Sequence, residues 1–317
     1  MPHLPPFRTG HARREQGHCT PVPGLDLPFT VIEGAAPGPV LLVTAGVHGS
    51  EFCSIEAALR MARLAPADLR GTLVVLPLLN PGGFRARSVY VMPQDGKNLN
   101  RMFPGRPDGT LSEQLAHWLV TAVYPEVDAY LDLHGGDLDE SLAPFSLYPR
   151  GSAASKTLAA VFGLPVAVEA GGEGYTINAA GKLGIPSVIA EVSGNGLWDE
   201  AGVTTLTDGT LRVMRHLGMI DRAVPPVPQA APRFVTMWVP PAPVTGLWYP
   251  AVAVEETVAV GAVLGEIRDV FGQVLATVRS EQAGAILYRL ASLSVNAGEA
   301  LLGVGSPLGE TAPHSEG

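Results

Sequence analysis

Two side chains that can bind a metal ion stand three positions apart in "LLVTAGVHGSEF", residues 41 to 52: His48 and Glu51, placed where an apolar run ends. Taken alone, an H-x-x-E pair is more often a solvated loop than a ligand set. A second apolar run, "VDAYLDLHGGD" (127 to 137), also ends in a histidine, His134, with Asp132 two residues back and so on the same side of a strand. Two histidines and one glutamate form the set used by catalytic zinc, which leaves a fourth position for water. A third run, "GIPSVIAEVSGNG" (184 to 196), carries Glu191 near its end. A carboxylate inside an apolar strand is costly without a partner, because burial disfavours its ionised form. Glu191 is therefore the candidate general base and acid for hydrolysis.

The segment "NPGGFRARSVYVMPQDGKNLNRMFPG" (80 to 105) is long, is punctuated by glycine and proline, and has no helical period. A connection of this length inside a compact domain is usually functional. Its Asn100 and Arg101 offer an amide beside a planar fork, suited to gripping a carboxylate. The remaining histidines, His3, His11, His18, His117, His216 and His314, fall in an irregular N-terminus, in helical patterns or in the tail, and read as structural or solvated.

Chemistry at these positions needs elements that bring the run ends together. Residues 39 to 47, 72 to 79, 127 to 133 and 186 to 192 are rich in Val, Leu and Ile, the pattern of strands covered on both faces. Between them lie amphipathic stretches beginning at Ser50 and Leu111, with Ser50 and Ser112 as candidate caps; the first would pack Phe52, Ile55, Ala58, Leu59 and Ala62. The alternation predicts an α/β domain: a mixed, mainly parallel sheet with helices on both faces. Ligand sites in such sheets form at the carboxyl ends of strands, where His48 and His134 stand.

Length and composition set the frame. The 317 residues suggest two domains, and 46% hydrophobic against 16% charged residues can bury a large core. A net charge of −9 is the wrong sign for a phosphate-collecting surface, so nucleic acid is not an expected partner. Two cysteines, Cys19 and Cys53, are too few for a disulfide framework. No membrane span or signal-peptide core is visible, and a cytoplasmic protein is expected.

In order along the chain, "GVHGSE", "NLNRMFPG", "LDLHGG" and "AEVSG" resemble the motifs of the zinc carboxypeptidase superfamily, more closely its succinylglutamate desuccinylase/aspartoacylase branch. The resemblance spans roughly residues 39 to 200. It implies one Zn²⁺ held by His48, Glu51 and His134, with Glu191 as base and acid and Asn100 and Arg101 on the substrate carboxylate. It also implies an upstream arginine for the oxyanion; Arg85 and Arg87 both fit the spacing, and Arg87 is preferred. A closing tyrosine could be Tyr175, Tyr249 or Tyr288. The implied reaction is deacylation of a small N-acyl amino acid or related amine, with a carboxypeptidase acting on peptide C-termini as the alternative and a metal-containing binding protein as the third reading.

The proline-rich "DRAVPPVPQAAPRF" (221 to 234) reads as a connection, which divides the chain into a catalytic domain, 1–225, and a small β-domain, 226–317. The latter has the glycine-spaced texture of biotinyl/lipoyl-like barrels but contains no lysine, so covalent carriage is excluded. It is expected to shape or cover the site, with the last dozen residues as a loose tail. "AGGEGYT" (170 to 176) is expected to be a mobile loop, residues 137 to 182 to supply part of the pocket wall, and an assembly of identical chains is compatible with all of this.

Overall fold

Runs rich in valine, leucine and isoleucine on both faces of a strand cannot leave either face in water, and the four such runs are all buried strands in the computed structural model, which describes residues 4–227 and 230–308. The first part of the chain contributes β1 (Arg13–Val22), β2 (Leu25–Glu33), β3 (Ala36–Ala45), β4 (Arg70–Leu76), β5 (Val91–Met92), β6 (Lys97–Asn98), β7 (Ala129–His134), β8 (Glu140–Leu142), β9 (Phe145–Pro149), β10 (Val166–Ala170) and β11 (Ser187–Glu191). Its helices are α1 (Phe52–Met61), α2 (Pro81–Ala86), α3 (Leu111–Trp118), α4 (Ala153–Phe162), α5 (Thr176–Lys182) and α6 (Glu200–His216). After the proline-rich connection come β12 (Arg233–Trp238), β13 (Gly246–Pro250), β14 (Thr257–Val258), β15 (Val263–Arg268), β16 (Val274–Arg279), β17 (Gly284–Leu290), β18 (Ser294–Val295) and β19 (Leu302–Pro307).

Thirteen strands form one mixed sheet in the order β1-β2-β4-β3-β7-β11-β9-β10-β12-β19-β17-β14, with β8 attached to β17. Its centre is parallel: β3 pairs with β4 and β7, and β7 with β11. Alternation along these strands feeds two apolar layers. Leu42, Tyr130 and Ile189 enter one, while Leu41, Leu131 and Val188 enter the other, beneath α1, α4 and α6. No helix among the described residues is long and apolar enough to cross a membrane.

The sheet does not stop at the proline-rich connection. β12 adds in parallel to β10, and β19, β17 and β14 follow it, while β16-β15-β13-β18 make a separate antiparallel sheet. A third apolar cluster, centred on buried Trp248, draws only on residues 242 to 304. The segment after residue 225 thus has its own core but shares hydrogen-bonded sheet with the segment before it.

Several local expectations change. Residues 13 to 22, expected to be irregular, are a strand, and Ser306 and Pro307 belong to β19 rather than to a tail; residues 309–317, like His3, lie outside the described residues. Ser112 does not cap α3: Thr110 is the N-cap residue, its N–H donating to Glu113 Oε2 at 2.8 Å, and Ser112 binds Asp95. Ser50 does not cap α1 either, its hydroxyl being held by Asp137 and the Ser88 carbonyl. Leu59 is solvent-facing, and Cys53, Ala57 and Met61 bury α1 instead.

Candidate active site

Sheet register decides which run ends meet. β3 delivers Thr44 opposite Asp132, and β11 delivers Glu191 opposite His134, so the carboxyl ends of three adjacent strands carry the candidate groups. Beyond β3, Gly46 takes a left-handed conformation at φ 60°, which favours glycine, and turns the chain towards His48. Gly49 has a different reason to be glycine: a Cβ there would stand 2.0 Å from the Phe84 amide nitrogen at α2. What Gly49 permits is a close approach of two backbones.

His48, Glu51 and His134 are all buried and come together with ligand atoms within 4.8 Å of one another. His48 Nδ1 lies 2.6 Å from Glu51 Oε1, and His134 Nδ1 lies 3.0 Å from Glu51 Oε2. The outer ring nitrogens face oxygen acceptors: His134 Nε2 is 3.0 Å from Asp132 Oδ2, and His48 Nε2 is 3.1 Å from Asn98 Oδ1. An acceptor on the outer nitrogen fixes the ring proton there and aims the Nδ1 lone pair inward. Two lone pairs and a carboxylate then converge in a buried space, an arrangement that suits a cation. Burial works against ionising Glu51, yet the two imidazoles outweigh it and hold its carboxyl below the ordinary range. For His134, desolvation opposes the charge, while Asp132 and Glu51 prevail and push its pKa up. These residues fit a divalent ion of the zinc type, with Asp132 as the outer partner of one ligand.

Asp132 is itself fully engaged. Its Oδ1 accepts from the Thr44 hydroxyl at 2.5 Å, and its Oδ2 accepts from the Thr176 hydroxyl at 2.7 Å as well as from His134. Thr176 also donates its backbone N–H to Asn100 Oδ1 at 2.9 Å, and neighbouring Tyr175 lies under the Arg101 guanidinium, 4.4 Å from ring centroid to Cζ. The end of "AGGEGYT", expected to be mobile, is thus tied to both the metal-site strand and the Asn-Arg pair; a bridge between Phe103 and Gly174 adds to the tie.

Two of the three cluster residues, His48 and Glu51, line one cavity of about 740 Å³ together with Asn100, Arg101 and Glu191, while His134 is fully buried and outside the lining. Glu191 is half-buried. Burial raises its pKa well above the usual carboxylate range; His134 opposes the shift, and the carboxylates of Glu51, Glu140 and Asp132 reinforce it. Residues 137 to 182 do supply wall, through Asp139, Glu140, Leu142, Phe145, Leu147 and Tyr175. Beyond residue 225, Met237 of β12 and Tyr288 and Leu290 of β17 close another side, the latter two placed there by the pairing of β17 with β8.

α2 ends on Arg87 in a left-handed conformation at φ 52°, and both Arg87 and Arg85 are solvent-facing and outside the cavity lining. Of the tyrosines considered, Tyr175 and Tyr288 line the cavity, whereas Tyr249 lies on the separate antiparallel sheet, stacked by Arg268. Tyr90 was not anticipated, although it sits in the functional 80–105 segment. Its ring packs 5.3 Å from that of His48, and its hydroxyl reaches Glu140 at 3.2 Å. His11, His18, His117 and His216 are absent from the lining, and His314 falls outside the described residues.

A buried His-Glu-His cluster at the carboxyl edge of a mixed sheet, with a carboxylate and an Asn-Arg pair lining the same cavity, has the donor set to hold a metal ion beside groups able to bind and hydrolyse a substrate. The succinylglutamate desuccinylase/aspartoacylase catalytic domain matches residues 37–217, and the chain belongs to that family. It is 29% identical over 294 residues to the N-alpha-acetyl-L-2,4-diaminobutyric acid deacetylase of Halomonas elongata, covering 87% of this chain and 84% of that protein. Among solved structures, a succinylglutamate desuccinylase/aspartoacylase from Rhodobacter sphaeroides superposes with a TM-score of 0.83 at 27% identity, over 97% of this chain and 98% of that one. The product-bound ectoine utilization protein EutE of Ruegeria pomeroyi gives 0.80 at 27% identity, over 89% of each.

Proposed function

We propose that the protein is a zinc-dependent deacylase that hydrolyses the amide bond of a small N-acyl amino acid, working in the cytoplasm. The observation that carries this is the buried His48-Glu51-His134 cluster, two of whose members, His48 and Glu51, line the same cavity as Glu191 and Asn100-Arg101. Deacylation is the activity in the name of the Halomonas elongata relative. His48, Glu51 and His134 would hold the zinc. When bound there, zinc supplies a Lewis acid for the acyl carbonyl and lowers the pKa of water to about 7.

The chain's own groups do the rest. Arg101 and the Asn100 side-chain amide orient the substrate by its carboxylate, which sets the scissile bond against the strand ends. Glu191 takes a proton from the attacking water on a carboxylate oxygen and returns it to the departing nitrogen. The wall from Tyr288 and Leu290 limits water entry on the side closed by β17.

The test joins metal analysis to mutation. Purified protein should contain close to one zinc per chain, and E191Q should keep that zinc while losing about 10²–10⁴-fold in kcat. Protein without zinc and without activity on added zinc sinks the reading, as does an E191Q enzyme of unaltered rate. A substrate screen should include N-acetyl, N-succinyl and N-formyl amino acids beside short peptides; turnover of peptides alone identifies a carboxypeptidase instead.

A further inference from the structure

The turn that carries Tyr90 into the cavity is strained. Tyr90 has a φ of 55°, and the Val91 N–H folds back on the Val89 carbonyl at 2.6 Å, so Tyr90 is the centre of a three-residue turn with a positive central φ, a rare form. A side chain with a Cβ is costly there, and such a conformation persists only where its surroundings over-determine it. Here they do. The Tyr90 N–H donates to Asp137 Oδ2 at 2.7 Å, the Ser88 hydroxyl and the Asn80 amide both donate to the Val91 carbonyl, and the Ser50 hydroxyl donates to the Ser88 carbonyl. Asp137 is fully buried, and its other oxygen accepts from Ser50, which stands between His48 and Glu51. One carboxylate therefore ties the Tyr90 turn to the turn that bears two of the cluster residues.

What this arrangement holds in the cavity is a phenol hydroxyl. Of the three tyrosines that line the cavity, Tyr90 is the one whose ring packs on a histidine of the cluster among the described residues, edge-on to His48 at 5.3 Å between centroids and 82° between planes. Its hydroxyl lies 3.2 Å from Glu140 Oε2. That is longer than an ordinary hydroxyl-to-oxygen bond, so a better acceptor can draw the proton away from Glu140. A phenol titrates near pH 10, so the hydroxyl donates at neutral pH without surrendering its proton.

Amide hydrolysis calls for such a donor. As water adds to the acyl carbon, the acyl oxygen gains negative charge and is stabilised by a hydrogen-bond donor already aimed at it. Asn100 and Arg101 are committed to the substrate carboxylate, and Arg85 and Arg87 stand outside the lining. We propose that the Tyr90 hydroxyl turns from Glu140 to the acyl oxygen of the substrate and stabilises the charge that develops on it. This rests on the deacylase reading above, and deepens it. The π pair of the acyl C=O moves on to oxygen as the water oxygen bonds to carbon, and it moves back when the C–N bond breaks. The Tyr90 O–H bond stays intact throughout, and the one proton that travels is carried by Glu191.

The experiment uses the full-length, zinc-loaded enzyme, an N-acetyl amino acid that the wild type turns over, and the matching N-(methylphosphonyl) amino acid, in which tetrahedral phosphorus replaces the acetyl carbonyl carbon. Y90F keeps the ring on His48 and removes only the hydroxyl. It is expected to lose about 100-fold in kcat with KM within about threefold of wild type. By calorimetry it should bind the phosphonyl analogue about 100-fold more weakly, with zinc content and affinity for the free amino acid product unaltered. A purely structural role would move the two affinities together. Y90G, which takes a φ of 55° without penalty, supplies the same comparison if Y90F does not fold. Wild-type kcat in the folded variant, equal losses for analogue and product, or a 100-fold loss in R87A beside an unaltered Y90F overturns the role of Tyr90 and leaves the deacylase intact. A wild type inert on every N-acyl amino acid of the panel overturns the deacylase reading and this role with it.

Discussion

Asp132 shows how much of a metal site lies outside its ligands. It touches no inward-facing nitrogen, yet it accepts hydrogen bonds from His134, Thr44 and Thr176 and so fixes both the tautomer and the angle of the imidazole. Replacing it with Asn removes the charge and puts an N–H₂ where one of three donors now points. D132N is expected to weaken zinc binding by about 10–100-fold, as read by competition with a chromogenic chelator, with secondary structure unchanged. Wild-type affinity in that variant would show that the His134-Asp132 contact has no part in holding the metal. Glu191 makes the complementary case: in the proposed mechanism it serves the reaction and not metal retention, so zinc content and rate should separate in E191Q.

At the level of elements, two connections position the site. The turn from β3 to α1 passes so close to α2 that the Cβ of a G49A variant would meet the Phe84 nitrogen at 2.0 Å and the Gly83 carbonyl carbon at 2.3 Å. Neither is the end of a flexible side chain, so backbone must move. G49A is expected to cost about 1–3 kcal/mol of stability and to lower zinc occupancy together with it, since His48 and Glu51 flank the turn. Calorimetry and metal analysis check this; an unchanged melting temperature and full occupancy would refute the close-approach account. The start of α5 is the second connection. Thr176 binds Asp132 with its hydroxyl and Asn100 with its N–H, coupling the metal strand to the carboxylate clamp. T176V deletes the first bond and keeps the second, so it should weaken zinc binding more than it raises KM. The reverse order of effects would show that Thr176 serves the clamp.

For the whole molecule, the N-terminal segment is fastened by a buried carboxylate. Glu33, 5% exposed at the end of β2, accepts from the Thr9 and Gly10 amides, the Thr9 hydroxyl and Arg13. Burial opposes its ionisation, but these hydrogen bonds outweigh it and hold the folded-state pKa below the ordinary value. A depressed folded-state pKa stabilises above the unfolded value of about 4.3, and that contribution is lost as pH falls through the folded value. E33Q is expected to lose about 1–3 kcal/mol at pH 7. Its deficit against wild type should shrink as the pH drops below 4. A deficit constant across that range would mean that the carboxylate charge is irrelevant. At this scale, too, β17 matters most to the site, because it brings residues some 150 positions downstream of β8 into the cavity wall.

How far the sequence reached follows from the range of the interactions involved. Apolar run length and the position of a polar residue at the run's end are local properties, so β3, β4, β7 and β11 could be read, and with them His48, Glu51, His134 and Glu191. The mixed α/β class followed from alternation of period, and Asp132 from the two-residue repeat of a strand. The direction of Arg87 depends on one backbone dihedral at the end of α2, which composition does not encode, so its place outside the cavity lining was not legible in the sequence. Ser50 and Ser112 were misjudged as caps because a hydroxyl at a helix start can be claimed by a distant carboxylate, Asp137 or Asp95. The continuation of the sheet through β12, β19 and β17, the meeting of Tyr90 with His48, Asp137 and Glu140, and the double duty of Thr176 were decided only by tertiary structure. Each depends on pairing between segments far apart in the chain, which the local pattern of either segment does not specify. The sequence by itself determined which groups could do the chemistry; the fold decided which of them share a cavity and which neighbours they meet there.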